Sequence, residues 1–146
     1  MMSLRLPQPK TKARFLMIGY GLLLLFWMSL ENSSILFVTL LGIAATLIYG
    51  SIGLSNRIAE RDIPLRHWFP GIVLSGTFFG VMSIFMTSIL MFFKSSWHGH
   101  LYPDYPPQMI FAMLPRLPAW TLSGTLIGIF CAIFIFLHQS HIQKTL

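Results

Sequence analysis

The sequence predicts an all-α integral membrane protein, a four-transmembrane-helix bundle with both termini cytoplasmic and a long outer loop rich in proline and aromatic residues. Three observations lead there. Residues 15–30, 35–54, 71–93 and 119–137 contain no Asp, Glu, Lys or Arg. Charged residues make up 10% of the chain, where a water-soluble domain carries about 25%. The ten Lys and Arg residues lie between or outside the apolar stretches, not within them.

A spanning helix needs about 20 apolar residues, and lipid admits only helices and closed barrels because every backbone group must be satisfied internally. The four runs are continuous rather than alternating, so they read as helices. The expected organisation is a basic N-terminal segment (1–14), one membrane domain (15–138) and a short tail (139–146). Arg5, Lys10, Lys12, Arg14, Arg57, Arg61, Arg66 and Lys144 fall on one side of this topology, and only Lys94 and Arg116 on the other. That bias places the larger set in the cytoplasm and suits a bacterial cytoplasmic membrane. It also disposes of a nucleic-acid reading: the basic residues describe topology, not a binding stripe. Arg14, Arg57, Arg61 and Arg66 are the expected headgroup contacts, at about 1 kcal/mol each.

The first helix has a basic start but no small-residue cleavage site at Met28-Ser29-Leu30-Glu31, so it reads as uncleaved. Glu31-Asn32-Ser33-Ser34 is a tight outer turn, making helices one and two an antiparallel hairpin. Pro70 suits the first turn of helix three. The loop from Lys94 to Pro118 is too long for a plain connector. Within it, residues 108–114 form a short apolar helix ended by Pro115, lying in the headgroups or capping the bundle. Trp27, Trp68, Trp97 and Trp120 all fall near membrane–water boundaries and are the expected interface anchors.

One tetrapeptide occurs twice: Leu74-Ser75-Gly76-Thr77 and Leu122-Ser123-Gly124-Thr125. A proline stands four residues before each copy (Pro70, Pro118) and a glycine three after (Gly80, Gly128). Each copy contains G-x-x-x-G, Gly76 to Gly80 and Gly124 to Gly128, which lets helix backbones approach closely. Gly42 heads a similar small face on helix two. Helices two, three and four are therefore the tightly packed ones, and helix one the most lipid-exposed. The favoured reading is a packing device used twice; a true repeat would be inverted, as in many transporters.

His98-Gly99-His100, with Asp104 four residues on, is the candidate metal cluster. H-x-H in an aromatic loop is a weak signal, and an interfacial polar loop explains it as well. His138 and His141 suit the inner end of helix four. Cys131 is the only cysteine, so no internal disulfide forms. No motif requires a cofactor, and no nucleophile–base pair or phosphate loop is present. Asp, Glu, Lys and Arg are missing from the helix interiors, where ion-coupled pumps use them. Ser, Thr and Tyr at Thr39, Thr46, Tyr49, Ser83, Thr87 and Ser88 read as interhelical hydrogen bonds.

The leading expectation is a non-enzymatic accessory, structural or assembly subunit of a larger membrane complex, respiratory, photosynthetic or transport, with the lipid bilayer and other membrane subunits or self-association as its partners. A homo-oligomeric channel or small transporter is the first alternative. Binding of metal, haem or pigment through loop or interface histidines is the second.

Overall fold

A computed structural model describes residues 3–4, 10–31, 33–58, 63–97 and 103–144. Five α-helices carry the fold: α1 (Lys10–Ser29), α2 (Ile35–Ile58), α3 (Leu65–Trp97), α4 (Pro107–Phe111) and α5 (Leu117–Lys144). Among the described residues, four helices are long and apolar enough to cross a membrane: α1, α2, α3 and α5. A two-residue antiparallel pairing, Ser3–Leu4 with Ile63–Pro64, ties the chain before α1 to the chain before α3.

The helices run past their charge-free stretches because a helix satisfies its own backbone wherever it goes. With 33 residues, α3 is about 50 Å long, against about 30 Å of hydrocarbon, so it tilts or projects at its ends. It starts before Pro70, which therefore lies inside the helix rather than in its first turn. The lost N–H frees the carbonyl four residues back, at Arg66, close enough to the helix start for water or headgroups to take it. The short helix is Pro107–Phe111 rather than 108–114. Pro115 does not end it but sits in a 3-10 turn, Leu114–Arg116, that leads directly into α5. Pro118 occupies the first turn of α5, where its missing N–H costs nothing.

Ser34 starts α2. Its Oγ accepts the Phe37 N–H at 3.4 Å and its carbonyl accepts the Val38 N–H at 3.2 Å. At the end of α1, Ser29 Oγ donates to the Phe26 carbonyl and Leu30 N–H to the Trp27 carbonyl, which tightens the last turn.

The spanning helices pack in chain order: α1 on α2, α2 on α3, and α3 on α5. This is an open row rather than a closed ring. α1 turns Ala13, Tyr20 and Trp27 inward, seven residues apart and hence on one face. Tyr20 donates its hydroxyl to the Leu41 carbonyl at 2.9 Å and meets Tyr49 edge-on. α2 buries Val38, Leu41, Gly42, Ala45 and Thr46, with Gly42 against Thr87 of α3. α1 was the helix expected to be most exposed. It is indeed the most loosely packed of the four, touching α2 far less closely than α2 and α5 touch α3, although α5 also leaves much of its outer surface exposed.

Candidate functional site, a buried lysine and a two-fold helix seam

Two arrangements stand out, and the first was not foreseen from sequence. Lys94, three residues before the end of α3, is fully buried. Its Nζ donates to the carbonyl oxygens of Leu30 at 2.7 Å and Trp27 at 3.4 Å. The ammonium also lies 4.5 Å from the centre of the Trp27 ring. α1 has no basic residue in its last turn, so its negative, carbonyl-bearing end is capped by a cation from another helix. Cation–π attraction to a desolvated indole adds to this, by about 2 kcal/mol in favourable cases.

Trp27, expected at the membrane–water boundary, is instead completely buried beneath this cation. Its Nε1–H has no acceptor among the described residues. Trp120 is partly buried and packs against the same core, and Trp68 is partly buried, whereas Trp97 is exposed.

The loop before α4 closes the site. Tyr105 is fully buried. Its N–H donates to Ser95 Oγ at 2.9 Å, and Ser95 Oγ–H returns a bond to the Tyr105 carbonyl at 3.0 Å. Its hydroxyl donates to the Ser34 carbonyl at 3.3 Å. Tyr105 thus ties the long loop to α3 through its backbone and to the α1–α2 turn through its side chain. Burial first, and then the Asp104 carboxylate, push the Tyr105 phenol up to about 12. Asp104 also acts electrostatically on Lys94. Met113 is buried below, with Met109 and Ile110 of α4 packed on the same cluster.

Asp104 was singled out as a metal ligand beside His98 and His100. Those two histidines lie outside the described residues, as does Arg61. Among the described residues, no three His, Cys, Asp or Glu side chains converge. Arg14 and Arg57 are exposed, on the first half of α1 and the last turn of α2, and Arg66 belongs to the first turn of α3.

The second arrangement is built from the repeated tetrapeptide. A Cβ on Gly76 would overlap the Gly124 carbonyl oxygen and come within 2.9 Å of Gly128 Cα. One on Gly80 would overlap the Trp120 carbonyl oxygen. Gly124 meets Gly76 and Gly80 in the same way, and Gly128 meets Ile72 and Val73. Residues earlier in α3 face residues later in α5, so the helices are antiparallel. The contact set maps onto itself when the helices are exchanged at an offset of 48 residues: Gly76 with Gly124, Gly80 with Gly128, Ile72 with Trp120. Thr77 and Thr125 share this offset and meet at the centre, their Oγ1 atoms 2.8 Å apart. The two copies therefore lie about a local two-fold axis. Gly42 makes a third close contact, where a Cβ would lie 2.8 Å from the Thr87 nitrogen on α3.

Most of the hydroxyls expected to bond between helices bond within their own. Thr39, Thr46, Ser83 and Thr87 each donate to the carbonyl four residues back, a geometry that satisfies the hydroxyl locally.

No protein-family model matches the chain, and neither a curated protein nor a solved structure is similar to it beyond chance.

Proposed function

We propose that this chain is a non-enzymatic accessory, structural or assembly subunit of a larger complex in a bacterial cytoplasmic membrane, with both termini in the cytoplasm. The basic residues grouped on the terminal side support the orientation. The observation that carries the functional reading is the bareness of α5. Among the described residues it packs chiefly on α3, and Leu122, Leu126, Phe130, Phe134 and Leu137 project from it exposed. A self-sufficient four-helix bundle closes so that each helix has two neighbours; this row leaves a flank open. At the opposite end from the termini, Trp97, Phe111 and Leu114 are also exposed.

A homo-oligomeric channel or small transporter is the second reading, favoured by the local two-fold between antiparallel α3 and α5, the geometry of an inverted repeat. The centre of that seam is closed by glycine backbones and the Thr77–Thr125 pair, so a path requires other copies of the chain.

A photoactivatable side chain at Phe130 or Phe134 tests the subunit reading in native membranes. A discrete adduct with a second polypeptide is expected, against lipid adducts alone from Leu22 on α1. Lipid adducts alone from all three positions would remove the proposed docking face.

A further inference from the structure

The seam and the lysine site leave one structural feature unused: an open groove between α2 and α3, away from both. Its volume is about 420 Å³, within the ~300–1,000 Å³ typical of small-molecule sites. Gly50, Gly53 and Arg57 on α2, with Leu74, Phe78 and Phe79 on α3, line it. Gly50, Gly53 and Arg57 recur at helical spacing, so they share a face. The two glycines differ in what they do. A Cβ at Gly50 would overlap the Phe79 ring, so this glycine seats α3. At Gly53 a Cβ would meet nothing within 4 Å, so this glycine leaves the space open. Leu74 and Phe78 stay exposed at the rim, and Ser75 donates its hydroxyl to the Gly71 carbonyl rather than into the groove.

Arg57 is the charged residue among the lining side chains and lies in the last turn of α2. An apolar trough running along two membrane helices, with a guanidinium at the helix end, matches an amphiphile with an acyl chain and a phosphate. Arginine suits the phosphate because its planar fork donates two parallel hydrogen bonds.

We propose that this groove holds one anionic phospholipid, an acyl chain against Phe78 and Phe79 and the phosphate on Arg57. The site does not depend on the subunit reading, since its walls come from this chain alone.

The test is native mass spectrometry of the purified full-length chain, titrated with phosphatidylglycerol or phosphatidylcholine of matched acyl chains. Wild type is expected to retain one phosphatidylglycerol in preference to phosphatidylcholine. Arg57→Gln should weaken phosphatidylglycerol retention about tenfold, the scale of one charge-assisted hydrogen bond, and erase the preference. Gly53→Leu fills the open space and should lower retention of both lipids, with thermal unfolding unchanged. If Gly53→Leu destabilises the chain, the exposed Arg57→Gln still decides the matter. Equal retention of the two lipids by wild type, or an unchanged preference in Arg57→Gln, overturns the proposal.

Discussion

Lys94 Nζ on α3 donates to the Leu30 carbonyl oxygen just beyond the end of α1, 2.7 Å away and out of contact with solvent. The two residues are 64 positions apart in the chain. This bond fixes the first helix to the third, although the two are not neighbours in the row. Loss of Lys94 removes the charge-assisted donor to the Leu30 carbonyl, while the Trp27 carbonyl keeps only the Leu30 N–H. A charge-assisted hydrogen bond is worth about 1.5–3 kcal/mol. Lys94→Met is therefore expected to lower unfolding stability in detergent by about that amount. Tryptophan fluorescence during chemical unfolding measures it, and a change within about 0.5 kcal/mol, the scale of ordinary surface substitutions, would show that the bond contributes nothing.

The seam gives a sharper contrast. Gly80→Leu places a side chain where the Trp120 carbonyl already stands, and no rotamer avoids a clash that begins at Cβ. Leu23→Ala removes atoms from an exposed position. Thermal stability and yield in mild detergent should fall steeply for Gly80→Leu and barely for Leu23→Ala. Similar values for the two would contradict the packing described.

The two-fold centre is directly accessible to chemistry. In a Cys131→Ser background, Thr77→Cys with Thr125→Cys brings two sulfurs together where the hydroxyls now lie 2.8 Å apart. Mild oxidation should join them quantitatively within one chain, read as an intramolecular bridge by peptide mass mapping. Disulfide-linked dimers in its place would mean that α3 pairs with α5 of another copy.

Tyr105 predicts an alkaline transition. Its folded-state value, pushed up to about 12, stands above the ~10 of an exposed phenol. The sign follows from linkage: the stabilisation is complete below pH ~10 and is lost as pH rises through about 12. The difference between the tyrosinate absorbance titrations of wild type and Tyr105→Phe should show one phenol ionising near that value. A difference curve centred near 10 would place Tyr105 in water.

Sequence revealed the spanning elements because lipid imposes a length and a composition that few other environments demand. The glycines were equally legible, since G-x-x-x-G has meaning on any helix, and Gly76, Gly80, Gly124 and Gly128 do approach backbone to backbone. What was missed depends on contacts distant in sequence. Lys94 follows Phe92-Phe93 at the edge of an apolar run, and such a lysine ordinarily reaches headgroups. Nothing local says that the end of α1 stands opposite it. Trp27 read as a boundary anchor for the same reason: the cation that covers its ring comes from a residue 67 positions away and was invisible. Pro70 and Pro115 were given the role of helix boundaries, and both are accommodated inside helical segments near a membrane surface, where a freed carbonyl can find water.

The central claim is that this chain works as a subunit, and purification from native membranes in gentle detergent, with native mass determination, tests it most directly. The account predicts a stoichiometric complex containing a second polypeptide, and loss of that polypeptide when Phe130 and Phe134 are changed to smaller residues. A homogeneous particle made only of this chain would contradict it and turn attention to flux measurements.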